Sequence, residues 1–166
     1  MNKQDFIIYT AIFGNYDELI EPSENFVGCK FVCFTDNPDF KSNIWDVRLV
    51  SNIQFSAHNL NRYYKFHPHK LFPDYMSSLY IDGNIKVLNN PNLLKEKYLD
   101  SNDFVLPKHN LRDCLYKEAQ EVCSVGKDRI YNVKPVIRKY RLLGFPKHFG
   151  LGENNILFRN HNKSWV

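Results

Sequence analysis

No stretch of this 166-residue chain stays apolar for the length of a membrane span, and the opening MNKQDFIIYTAIFGNYD runs at once into a strand pattern rather than a signal-peptide layout. A cytoplasmic location is the expectation. The short motifs of several common chemistries are also missing. Without a GxxxxGK[ST] phosphate loop, or a GxGxxG after a strand, the kinase, ATPase and dehydrogenase readings recede. Without a GxSxG elbow or an HExxH, so do the nucleophilic hydrolases and zinc peptidases. The 4 cysteines lack zinc-ligand spacing: Cys29 and Cys33 share an apparent strand in CKFVCFT, while Cys114 and Cys123 fall in an apparent helix. They read as reduced, mostly buried thiols. A strong charge bias is absent as well. Lys plus Arg number 22 against 18 Asp plus Glu, which favours anionic ligands without the field of a dedicated nucleic-acid binder.

What is present is 43% hydrophobic residues, including 13 Phe and 10 Tyr, enough for one packed core over residues 1–166 and no second domain. Strands are expected at Asp5 to Phe13, Cys29 to Thr35, WDVRLV, SSLYID, NIKVL, DFVLPK and NNILFR, each rich in β-branched or aromatic residues and most of them closed by turn residues. Helices are expected from Asn59 to Pro68, with a short turn over HKLFPDY, and in NPNLLKEKYL, where Pro91 suits a first turn. Two more follow, from Asp113 to Val125, where Leu111, Leu115, Ala119 and Val122 keep helical spacing, and from Asp128 to Leu143, stopped by Gly144 and Pro146. Interleaved strands and helices predict an α/β layered domain, whose ligands bind beyond the carboxyl ends of its strands.

Asp82, at the end of SSLYID, falls where that rule puts a ligand. Asp82 and Asn84 are two apart, so on extended chain they project to one face, with Gly83 leaving room for close approach. Two oxygen ligands would suit Mg²⁺ or Mn²⁺ completed by a diphosphate. DGN is equally the chemistry of a tight turn between Ile81 and Ile85. Two basic segments, NRYYKFHPHK and KPVIRKYRLLGFPKH, could clasp phosphates or present solvated helix faces. His67 and His69, flanking a proline, could serve as phosphate donors, loop residues or a metal pair.

The ordered blocks YTAIFGNYDEL, FVCFTDNP, NRYYKFHPHKLFPDYMSSLYIDGNIKV, KHNLRDCLYKEA and GFPKHFGLGENNILFRNHN make the chain resemble a GT-A-type nucleotide-sugar glycosyltransferase. In particular it is similar to the glycosyltransferase-like domain family that includes plant mucilage-pectin proteins. The resemblance implies a single Rossmann-like GT-A domain with a mixed, mostly parallel sheet flanked by helices, and transfer of a sugar from a nucleoside diphosphate donor, UDP by expectation, to a glycan, lipid-linked or other hydroxyl acceptor. YIDGN stands at the place of the Asp-x-Asp motif, which makes Asp82 a catalytic and metal residue, Asn84 a metal ligand, and Asp82, Gly83 and Asn84 donor contacts. Mn²⁺ or Mg²⁺ is the implied cofactor. Thr10, Asn15 and Tyr16 would surround the nucleoside, Arg62, Lys65, His69 and Lys70 the base or diphosphate, and Asn154 the sugar. Glu153 is carried over as the general base. Polar residues at strand-to-helix junctions line clefts in this architecture, which draws attention to His109, Arg112 and His161, the last as a third metal ligand. The chain departs from the family in having Asn84 for the second acid and in ending at NHNKSWV, ahead of a late acidic segment; either it is truncated or another element replaces that segment. Two other readings stand beside this one: a nucleotide-sugar-binding protein without catalysis, and a metal-dependent phosphohydrolase built on Asp82, His67 and His69. No nucleic-acid partner is expected, and peripheral membrane association is left open.

Overall fold

The computed structural model describes residues 4–51 and 54–161; the end of NHNKSWV lies outside them. The elements in chain order are β1 (Gln4–Ile12), β2 (Phe31–Thr35), β3 (Trp45–Leu49), α1 (Ala57–Phe66), α2 (Pro68–Leu71), β4 (Tyr75–Ile81), α3 (Pro91–Tyr98), β5 (Phe104–Val105), α4 (Leu115–Ser124), α5 (Ile130–Leu142) and β6 (Ile156–Asn160). The fold is α/β, with a six-stranded mixed sheet in the order β3-β2-β1-β4-β6-β5. β1, β2, β3 and β4 run parallel, β6 lies antiparallel to β4, and β5 pairs antiparallel with β6.

β1 explains why a sheet rather than a surface ribbon forms. From Phe6 onward it is continuously buried, as a strand must be when both faces are covered. Phe6, Ile8 and Ile12 pack on one face with Phe31, Trp45, Leu79 and Leu99. The intervening Ile7, Tyr9, Ala11 and Phe13 pack on the other with Leu60, Phe72, Tyr80 and Leu157. The alternation of successive side chains thus feeds two cores from one strand. β4 repeats this in the neighbouring position, with register Ile8 to Leu79 and Tyr9 to Tyr80.

One expected strand does not form. After Asp82 the chain turns at Gly83 and Asn84, and NIKVL continues outside the sheet, where the carbonyl of Val87 accepts from the amide of Ser23 at 2.8 Å. Its apolar residues, Ile85 and Val87, still pack against the first core cluster, which accounts for the strand-like pattern without a ladder. All four cysteines are free thiols; Cys29 sits in a turn ahead of β2, and burial pushes the Cys33 thiol up to about 12.

The chain divides into two compact units, Pro107–Glu153 and the remainder. The larger carries the sheet with α1, α2 and α3. The smaller carries α4 and α5, closed at its ends by a bridge between Lys108 and Gly152 and by the amide of His109 donating to Leu151 O at 2.7 Å.

Candidate functional site

From β1 the chain builds the sheet outward through β2 and β3 in one direction, then crosses to place β4 on the other side of β1. The carboxyl ends of β1 and β4 therefore flank a topological switch point, where neighbouring connections diverge and leave a crevice. The segments that leave these two ends are Phe13 to Asp17 and Asp82 to Ile85.

The first begins at Gly14, whose φ of +68° and approach to Ala57, 2.8 Å from where a Cβ would stand, both require glycine. The Gly14 amide donates to both carboxylate oxygens of Asp36 at 3.0 and 3.1 Å, and Asn37 Nδ2 donates to Asn15 Oδ1 at 2.9 Å, tying the loops that follow β1 and β2. The second segment is a tight turn, closed by the Ile85 amide donating to Asp82 O at 3.0 Å. The Asp82 amide donates to Asn155 O at 2.9 Å, which joins the turn to the approach of β6. Asp82 and Asn84 thus do not share a face of extended chain; Asn84 is exposed on the turn while Asp82 is half-buried.

Asp82 Oδ1 accepts from Lys65 Nζ at 2.8 Å and from the Tyr80 hydroxyl at 2.8 Å. Lys65 Nζ lies 4.8 Å from the centre of the Tyr80 ring, so the same aromatic supports the ammonium from its face and the carboxylate from its hydroxyl. Burial, followed by the charge of Asp82, raises the Tyr80 pKa strongly, which keeps the hydroxyl protonated as a donor. α1 delivers Lys65. Ala57, Asn61 and Lys65 recur every four residues and so line one helix face: Ala57 against Gly14, Asn61 donating to Ala11 O, and Lys65 at Asp82. Ser56 starts the helix by accepting the Asn59 amide on its side chain.

Asp17 is the carboxylate that the sequence reading missed. A Cβ on Gly83 would stand 2.7 Å from Ile12 Cδ1 and 3.1 Å from Asp17 Cβ, so the turn is packed against Asp17. Burial, and then the negative charge of Asp82, raises the Asp17 pKa. Two carboxylates from the ends of β1 and β4 are therefore held close enough to repel each other. That suits a cation bound through one or two carboxylates with phosphate oxygens completing its shell. Tyr80 and Asn61 were missed as well, because both read as ordinary strand and helix residues; only the register of β4 and the four-residue spacing of α1 point to them.

The other expected site residues are dispersed. Thr10 is 1% exposed inside the sheet, with its hydroxyl unpartnered, and does not reach a nucleoside at the surface. Tyr16 is exposed beside Asn15, and Arg62 is exposed off the Ala57–Lys65 face. His69 and Lys70 lie on α2, which leads into the opposite end of β4, a strand roughly 20 Å long. Burial, with the charges of His67, Lys70 and Arg159, lowers the His69 pKa. His67 ends α1, with Nδ1 2.9 Å from Tyr63 O and its ring stacked on Tyr63. Neither histidine joins Asp82, which removes the ligand set of the phosphohydrolase reading. His161 corrects a further expectation. Its Nδ1 lies 3.1 Å from Tyr75 O and its Nε2 2.8 Å from Ser78 Oγ, in the first half of β4, so it stands away from the turn that holds Asp82. Asp82, Asn84 and His161 do not converge, and among the described residues no three His, Cys, Asp or Glu side chains form a metal-binding group. Asn154 is exposed one residue before Asn155, whose carbonyl meets Asp82.

Within the smaller unit a second polar cluster forms. His109 Nδ1 accepts the amides of Leu111 at 3.2 Å and Arg112 at 3.0 Å, which leaves the proton on Nε2. Nε2 lies 3.6 Å from Glu118 Oε2 and 3.9 Å from Glu153 Oε1, and Arg112 Nε donates to Glu118. His109 therefore lies near both Glu118 and Glu153, the expected base, while Arg112 reaches the cluster through Glu118.

A family model described as TOD1/MUCI70, glycosyltransferase-like domain, matches residues 35–156. No curated protein and no solved structure matches the chain.

Proposed function

The chain belongs to the TOD1/MUCI70 glycosyltransferase-like domain family, and from that premise we propose that it transfers a sugar from a nucleoside diphosphate donor, UDP by expectation, to a hydroxyl of a glycan or lipid-linked acceptor. The observation that carries this reading is the Lys65–Asp82–Tyr80 cluster, with Asp17 beside it, at the switch point between β1 and β4. The parallel order β3-β2-β1-β4, with antiparallel β6 next to β4, supports a GT-A-type domain.

In such a transfer the bond between the anomeric carbon and the diphosphate oxygen breaks, and negative charge grows on the diphosphate. Lys65 is a cation already ordered at this place, so it neutralises the leaving group without first being immobilised. When a divalent ion, Mn²⁺ or Mg²⁺, is bound, Asp82 and Asp17 are the side chains that would hold it, and it would supply further charge neutralisation there. The acceptor oxygen forms the new bond as its proton passes to a general base. One observation favours a second reading, donor binding without transfer: Lys65 already neutralises Asp82.

The test is calorimetric titration with UDP, with and without Mn²⁺, using uridine and ADP as controls. UDP should bind more tightly than uridine, Mn²⁺ should strengthen UDP binding, and Asp82→Asn should remove the Mn²⁺ effect. Equal affinities for UDP and uridine would overturn the donor site. Release of UDP from UDP-sugars in the presence of acceptor extracts separates transfer from binding alone.

A further inference from the structure

α5 presents a surface that sugar transfer does not explain. Neither α5 nor α4 contains a buried residue. In α5, Val133 and Ile137 are half-buried on one side. On another, Tyr131, Pro135 and Leu142 recur at spacings of four and seven, which at 3.6 residues per turn puts them within about 40° of one another. Tyr131 is 61% exposed, Leu142 78% and the following Leu143 70%. Lys134 and Arg138 flank this stripe on one side and Lys139 on the other. Lys134, Pro135, Arg138, Lys139, Leu142 and Leu143 line a shallow groove of about 520 Å³. Pro135 inside the helix has no amide to donate to the Tyr131 carbonyl, and so leaves backbone polarity on the same side.

Charge says what covers the stripe. Residues 127–149 hold seven Lys and Arg against one Asp, a surplus larger than the +4 of the whole chain, and α5 itself contains no acidic residue. We propose that α5 docks in the plane of an anionic membrane surface, with Tyr131, Pro135, Leu142 and Leu143 entering the interface and Lys134, Arg138 and Lys139 meeting lipid phosphates. A basic amphipathic helix binds such a surface through apolar burial and electrostatic attraction together. A soluble acidic polymer would use the cations but gives the exposed leucines nothing to bury against. An aromatic with a polar tip suits the headgroup boundary.

The experiment is co-sedimentation of the full chain with phosphatidylcholine vesicles, with and without phosphatidylglycerol, at low and high salt. Binding should require phosphatidylglycerol and weaken with salt. Tyr131→Ser/Leu142→Ser/Leu143→Ser keeps the charge and should lose about tenfold in vesicle affinity; Lys134→Gln/Arg138→Gln/Lys139→Gln should lose at least about tenfold. All six side chains are exposed, so circular dichroism of both variants should match the parent chain. Indifference to phosphatidylglycerol would overturn the proposal. So would full vesicle binding by the serine variant together with competition by soluble heparin, which would assign α5 to an acidic polymer. UDP binding, measured on the same variants, should be unchanged, so this proposal and the donor-site reading fail separately.

Discussion

Lys65 holds its ammonium against Asp82 with 12% of its side chain exposed, and so contributes an oriented charge rather than a mobile one. Lys65→Ala should weaken UDP binding by about 10- to 100-fold, the loss of one charge-assisted hydrogen bond of about 1.5–3 kcal/mol, and should leave uridine binding nearly unchanged. Calorimetry with both ligands checks this; an equal loss for both would assign Lys65 to the nucleoside instead. Asp17 gives a pH signature. Its pKa is raised in the folded protein by burial and by Asp82, so over the window from the ordinary carboxylate range up to the folded value the native state binds more protons than the unfolded state. Stability from this group is therefore lost as pH rises through that window. Asp17→Asn should make the protein more stable at neutral pH, by less than about 1 kcal/mol because the group is largely solvated, and the gain should vanish in acid. Urea unfolding at neutral and acidic pH measures the difference, and a neutral-pH loss would mean that Asp17 makes a favourable contact instead. Lys65 and Asp82 were legible as a basic residue and a strand-end acid. Asp17 was not, because its nearness to Asp82 depends on two distant strands lying side by side.

At the scale of elements, α1 carries the site by its spacing. Helices this short are marginal alone, so its ends and its packing matter more than its propensity. Ser56→Ala removes the side-chain acceptor for the Asn59 amide and should cost about 1 kcal/mol in urea unfolding, with the UDP affinity of the folded protein retained. A loss of affinity at unchanged stability would show that the helix start itself contacts the donor. Most elements could be read from the pattern, because buried parallel strands are continuous apolar runs and the helices carry stops such as Gly144. NIKVL could not. Ile85 and Val87 face the core from irregular chain, and a short alternating pattern is the same whether or not a ladder forms. Of the two geometries open to DGN, extended chain or a tight turn between Ile81 and Ile85, the structure takes the turn: the strand ends at Ile81, and Asn84 goes out to solvent.

At the scale of the molecule, stability is unevenly distributed. β1 sits between two parallel neighbours and is buried on both faces, as are most residues of β4. The strand order that creates the switch point was beyond the sequence, since pairing partners lie tens of residues apart; the parallel, layered class was within it. α4 and α5 contrast with this centre, having hydrogen-bonded turns but no buried side chain. Few buried apolar contacts mean that opening a segment exposes little surface, so its local opening free energy is small compared with global unfolding. Native-state hydrogen exchange should therefore show the amides of α4 and α5 exchanging orders of magnitude faster than those of β1 and β4. Denaturant should accelerate exchange of the strand amides steeply, as for global unfolding, and that of the helix amides only weakly. Equal protection and equal denaturant slopes would mean that both units open as one cooperative body, and the exposed helix faces would then need a stabilising contact other than burial.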